Sequence, residues 1–143
     1  MDTISFIVYI PCMIKLKQVS LFLMIILYAG AGINHFWHPA PYYSIIPPYL
    51  PDHRLINILA GIAELCSALF LIFQATRRFA AYGIIVMLVA FIPAHIYMIQ
   101  KGGCMGPPPA LCIPLWLAWV RLFPLQFILI LWARSIRNVR FNN

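Results

Sequence analysis

The chain has 143 residues, of which 64% are hydrophobic and only 9% charged, and its mean hydropathy is +0.90. A soluble domain carries roughly 25% charged residues, so ten Lys+Arg and three Asp+Glu cannot clothe a water-facing surface of this size. The net charge of +7 does not point to nucleic acid either, because the basic residues flank long apolar runs and form no patch interleaved with polar or aromatic side chains.

Four apolar runs, at about 19–37, 55–73, 79–99 and 111–133, approach or exceed the ~20 residues a helix needs to cross hydrocarbon. The alternating segments of a membrane β-barrel are absent. The expectation is an all-α fold: a polytopic membrane protein, one four-transmembrane-helix bundle over 1–143, with outer loops at 38–54 and 100–113. With the N-terminus inside, Lys15, Lys17, Arg77, Arg78, Arg134, Arg137 and Arg140 fall in the cytoplasm, and only Arg54 and Lys101 fall outside. Positive residues favour the cytoplasmic side, so both termini are expected there, in a bacterial cytoplasmic (inner) membrane.

The extension at 1–16 begins "MDTISFIVYIPC", without the basic start and small-residue cleavage site of a signal peptide. Either translation starts at Met13 or the extension lies along the cytoplasmic interface. In the first span, "YAGAGINHFW" places Asn34 and His35 towards the outer end, and Gly30 and Gly32 are expected to admit a close neighbouring helix. The outer loop "HPAPYYSIIPPYLPDHR" holds five prolines and three tyrosines in seventeen residues. Proline interrupts regular helix and tyrosine favours the headgroup zone, so the loop reads as a compact cap over the bundle mouth.

In the second span Glu64 is the only charged residue from Leu55 to Phe73. Asn57, Gly61, Glu64 and Ala68 share one helical face, which should point inward; Cys66 lies off it as a small packing residue. In the third span Pro93 cannot donate to the Val89 carbonyl, so a kink is expected just before His95 and Tyr97. The fourth span carries Arg121 in its outer half and Pro124, which frees the Val120 carbonyl. Trp116, Trp119 and Gln126 should share a face.

Asn34, His35, Glu64, His95 and Arg121 fall at comparable depth and read as one cluster. Ionisable groups in hydrocarbon are costly and need a partner or a function. An ion pair between Glu64 and Arg121 would serve structure alone. An outward-opening polar pocket would serve function, with Asn34, His35, Glu64, His95, Tyr97, Arg121 and Gln126 as candidate ligand-binding residues. Small residues at Gly32, Gly61 and Ala94 would leave room beside the polar groups. His35 and His95 lack the matched pairing usual in haem proteins, so haem is disfavoured. Cys104 and Cys112 share the second outer loop, where oxidation favours a disulfide, although the three prolines between them are stiff. Free thiols, or a Cys2His2 zinc site with His38 and His53, are the alternatives. Their spacing is not that of a thioredoxin-like motif.

"GINHF" at 32–36, "IIPPYLP" at 45–51, "AGIAEL" at 60–65, "TRRFAAYGII" at 76–85, "IPAHIYM" at 92–98 and "RLFPLQFILILW" at 121–132 together resemble the DoxX-like family of small four-helix membrane proteins. The resemblance runs in order from Tyr28 to Trp132; the "GGCMGPPPALC" loop and the N-terminal extension are less typical. It implies the four-helix topology firmly and the chemistry loosely. Founding members are associated with a thiosulfate:quinone oxidoreductase, others with membrane redox or oxidative-stress complexes, and a distant mammalian relative assists receptor assembly.

Three functions therefore stand in the sequence. One is a redox-linked membrane subunit binding a quinone or lipid-like molecule among polar groups and apolar walls. Another is a non-enzymatic assembly factor or chaperone for a membrane-protein partner, or a homo-oligomer. A third is a proton or small-solute transporter using Glu64 and His95, which the lack of an internal repeat disfavours. No nucleophile–base pair, phosphate loop or paired carboxylates mark a stand-alone hydrolase or phosphoryl-transfer enzyme.

Overall fold

The structure, a computed structural model, describes residues 3–107 and 110–140, with the backbone alone for 3–14. It consists of α1 (Thr3–Trp37), α2 (Pro39–Ile45), α3 (His53–Ile72), α4 (Arg77–Ala90), α5 (Ile92–Gln100), a two-stranded hairpin of β1 (Cys104–Met105) and β2 (Leu111–Cys112), α6 (Leu115–Leu122) and α7 (Pro124–Ile136). Four helical stretches are long and apolar enough to cross a membrane: Lys15–Trp37, His53–Ile72, Arg77–Gln100 and Leu115–Ile136. The fourth starts later than the sequence indicates, because Leu111 and Cys112 are drawn into the hairpin. The extension is no separate element: its backbone from Thr3 continues α1 without a break.

Both helix breaks sit at prolines. Pro93 opens α5 and Pro124 opens α7, each in the first turn, where the missing N–H is not needed. Each break is a single residue, Phe91 or Phe123, between the two helices of one long apolar stretch. Pro39 likewise starts α2, so part of the proline-rich loop is helical. Asp52 caps α3, its carboxylate accepting from the backbone N–H of Arg54 at 3.1 Å and Leu55 at 3.0 Å.

The most extensive helix contact is that of α1 with α3. A Cβ on Gly32 would stand 2.8 Å from Leu65 Cγ and 3.0 Å from the Gly61 carbonyl oxygen; one on Gly61 would stand 2.8 Å from His35 Cβ. These two glycines therefore set the interhelical spacing, as the sequence predicts for Gly32, and they fill the seam rather than leave open room beside the polar groups. Gly30 has nothing within 4 Å and plays no such part. Further along, α3 packs on α4 and α4 on α7, while α6 packs on α5 and α7.

Side-chain placement is inverted relative to a soluble bundle. Phe123, Phe79, Trp37 and Val86 are 69–78% exposed, whereas His35, Asn57, Glu64, Ser67, Arg77, His95 and Gln126 are buried. At one end an apolar core gathers Leu21, Met24, Leu71, Ile84, Leu88 and Ile136. There Arg77 is buried as a clamp: Nε donates to the Leu71 carbonyl at 2.8 Å, Nη2 to Ile72 at 2.9 Å, and Nη1 to Val139. Gln18 donates to the Arg140 carbonyl, so the start of the first long apolar stretch and the tail after α7 are neighbours.

At the opposite end a second cluster of Ile45, Met98, Met105 and Ala118 seats α2 and the hairpin on the helices. Cys104 and Cys112 are joined by a disulfide across the hairpin. Gly106 N–H donates to Ser44 Oγ at 2.6 Å and Lys101 Nζ to the Ser44 carbonyl at 2.9 Å, tying hairpin to cap. The polar cluster lies beneath this capped end.

Candidate functional site

The cavity beneath the cap follows from local geometry. Asn57, Gly61, Glu64 and Ala68 form the buried face of α3, as their spacing predicts. Gly61 lets α1 come close enough for His35 and Asn57 to bond twice. Asn57 Nδ2 donates to the His35 carbonyl at 2.9 Å, and Asn57 Oδ1 accepts from His35 Nδ1 at 2.8 Å. That fixes the tautomer, because a carbonyl oxygen can only accept. His35 Nε2 then faces Glu64 Oε2 at 3.5 Å. The contact is attractive only when one proton sits between the two groups. Tyr42 of α2 stacks on the His35 ring, centroids 3.8 Å apart, and its hydroxyl accepts from Asn34 Nδ2 at 2.7 Å.

From the other side, the break at Phe91 brings in His95, whose Nδ1 donates to the Phe91 carbonyl at 2.8 Å. Arg121 arrives from the last turn of α6, where the negative end of the helix favours a cation. His35, Glu64, His95, Arg121 and Asn57 line one cavity of about 160 Å³ with apolar walls that include Phe91 and Ala94. Tyr42, Ile45, Ile46, Pro47 and Leu50 form its wall towards the cap. The predicted convergence of polar groups under the proline-rich loop is thus present in the geometry.

The predicted pairing is different. No oxygen of Glu64 lies within 4.0 Å of the Arg121 guanidinium nitrogens, and Glu64 meets His35 instead. The reason is packing: the glycine seam brings α3 onto α1, whereas among the described residues α3 makes no extensive contact with α6. Arg121, half-buried, has no hydrogen-bond or ion-pair partner among the described residues. Glu64 Oε2 is buried without a hydrogen bond, and so is the hydroxyl of Tyr28.

Three of the seven candidate residues stand apart from the cavity. Asn34 is exposed and positions Tyr42 and His38. Tyr97 lies under the Lys101 ammonium, 5.7 Å from its ring centre. Gln126 donates to the Leu88 carbonyl beside the Phe91 break. It shares no face with Trp116 and Trp119, which are 66% and 54% exposed, because the break at Phe123 intervenes. Cys66 is exposed on the outside of α3 and packs no core. Among the described residues no three His, Cys, Asp or Glu side chains could hold a metal ion, and the disulfide removes the Cys2His2 arrangement.

Residues 24–137 match the family described as Domain of unknown function (DUF8561). The chain belongs to DUF8561. No curated protein and no solved structure matches it. The DUF8561 match contains every residue that lines the cavity and leaves out the whole of the 1–16 extension. Sequence reading of this DUF8561 chain passed over Tyr28 and Tyr42 as site residues. Tyr28 carried a usable signal: a phenol well inside an apolar run needs a partner for its hydroxyl. Tyr42 carried none, since only the fold of α2 turns it onto His35.

Proposed function

We propose that this DUF8561 chain is an integral protein of a bacterial cytoplasmic membrane, crossing it four times with both termini inside, and that its capped cavity binds the oxygen-bearing head of a quinone or lipid-like molecule. The observation that carries the reading is Arg121, a cation lining the cavity whose charge reaches Glu64 and His95 but which makes no hydrogen bond or ion pair within 4.0 Å to any described residue. A charged group in hydrocarbon is costly without a counter-group, so an occupant with acceptor oxygens would complete it. Glu64 and His35, sharing one proton, can give or take a hydrogen bond at the same head. A quinone carbonyl suits Arg121 and a quinol hydroxyl suits the Glu64–His35 pair. The similarity of the motifs to DoxX-like proteins supports the same reading and extends it to a redox-linked subunit of a larger membrane complex.

The test is mass spectrometry of small molecules extracted from protein purified in mild detergent. A quinone or lipid-like compound should accompany the parent chain and be depleted at least about tenfold in Arg121→Leu, since a hydrogen bond to a charged group contributes roughly 1.5–3 kcal/mol. Purification of the parent with a partner protein and no small molecule would favour the assembly-factor reading and sink this one.

A further inference from the structure

Resting on that reading, we infer that the occupant carries a long apolar chain that leaves the cavity sideways, between α1 and α6–α7, and that the Tyr28 hydroxyl is a further ligand of its head. A second space, of about 440 Å³, adjoins the cavity and shares Ala31, Glu64, Phe91, His95 and Arg121 with it. Away from those shared residues its walls are mostly apolar, with Leu27 on α1, Leu117 and Val120 on α6 and Leu125 and Leu129 on α7; Tyr28 and Gln126, whose Nε2 donates to the Leu88 carbonyl, are the polar exceptions. The groove exists because, among the described residues, α1 makes no extensive contact with α6. The two ends of the bundle differ in this respect, for α1 is fastened to α7 lower down by the 2.7 Å bond from Trp132 Nε1 to Ser20 Oγ.

Chemistry at the inner end of the groove fixes the occupant's class. Arg121 offers unpaired donors, and the Tyr28 hydroxyl, 4% exposed, lines the same groove without a hydrogen-bond partner. Glu64 Oε2, which meets His35 Nε2 at 3.5 Å but makes no hydrogen bond, borders the same groove. A buried hydroxyl left without a hydrogen bond is destabilising, and Tyr28, Glu64 and Arg121 all line the one groove. The outer walls, by contrast, can only be filled by hydrocarbon. The cavity alone is smaller than the roughly 300–1,000 Å³ of an ordinary small-molecule site, and with the groove the space falls within that range. Head at the junction and chain in the groove is the arrangement that satisfies both. It also lets the molecule load from the bilayer without lifting the cap.

The experiment compares binding of a decyl-tailed benzoquinone with that of the tailless benzoquinone bearing the same head, using purified protein in lipid nanodiscs. Leu27→Trp and Val120→Trp fill the groove from opposite walls; both positions are partly exposed, at 45% and 39%, so each variant is checked for a parental melting temperature. The parent should bind the tailed quinone more tightly. Each tryptophan should weaken the tailed compound by about tenfold or more, the equivalent of roughly two methylenes of burial, and leave the tailless one unchanged. Tyr28→Phe should weaken both compounds. Equal affinity of the parent for both quinones, or tailed binding indifferent to either tryptophan, overturns the lateral groove while leaving the head site standing. Failure of the parent to bind either compound overturns the inference and the quinone-site reading together.

Discussion

Arg121 shows at the level of one residue how cost and pairing come apart. That a guanidinium, a carboxylate and two imidazoles belong together was legible in the sequence, since each is expensive in an apolar span. Their partners were not legible, because pairing depends on which helices touch. His35 takes both Asn57 and Glu64 only because α1 and α3 meet at a glycine seam. A stability prediction follows from the pairing found. Breaking a buried ion pair costs about 3–5 kcal/mol, so a Glu64–Arg121 bridge would make Arg121→Leu strongly destabilising. With no hydrogen bond or ion pair from Arg121 to any described residue, Arg121→Leu should melt in detergent, stripped of small molecules, within a few degrees of the parent. Glu64→Leu, which strands His35 Nε2, should melt clearly lower. A collapse of Arg121→Leu to the level of Glu64→Leu would restore the ion pair.

Among the elements, the proline breaks were readable and the glycine roles only in part. Pro93 and Pro124 remove defined hydrogen bonds, so breaks at Phe91 and Phe123 follow from covalent structure alone. Glycine carries no such instruction. Gly30 and Gly32 look equivalent in sequence, yet two residues along a helix is a turn of about 200°, so one faces α3 and the other faces away. Gly61→Ala places its Cβ 2.8 Å from His35 Cβ, an atom that cannot swing aside without moving α1. Overpacking of this kind costs about 1–3 kcal/mol. It should also loosen the His35–Asn57 bonds and with them the cavity. Gly30→Ala meets nothing and should be neutral or slightly stabilising, as alanine is the better helix former. Circular-dichroism melts of the two variants in the same detergent make the comparison; equal losses would refute the seam.

For the whole molecule, the four apolar stretches were legible because their length and composition suffice, whereas the hairpin was not. Cys104 and Cys112 sit in a segment with three prolines and no apolar period, and it is their joining that makes a strand pair out of it. Cross-linking a loop of this size stabilises by about 2–3 kcal/mol in the chain-entropy account. The double variant Cys104→Ser/Cys112→Ser should therefore lower the melting temperature and free the cap from its Ser44 ties. The proposed orientation is open to labelling in intact cells with a membrane-impermeant maleimide. After reduction, Cys104 and Cys112 should react and Cys12 should not; the reverse pattern would turn the protein over in the membrane.

The staple between hairpin and cap has a consequence for how occupancy is governed. A ceiling held by Ser44 and closed by a covalent cross-link leaves the gap between α1 and α6 as the route of exchange in the proposed scheme. The protein would then sample a two-dimensional solution, and water would be a bystander. Saturation would track the mole fraction of ligand among the lipids, so that adding bare bilayer empties the site by surface dilution at constant bulk concentration, while stirring more buffer into the same vesicles leaves it filled.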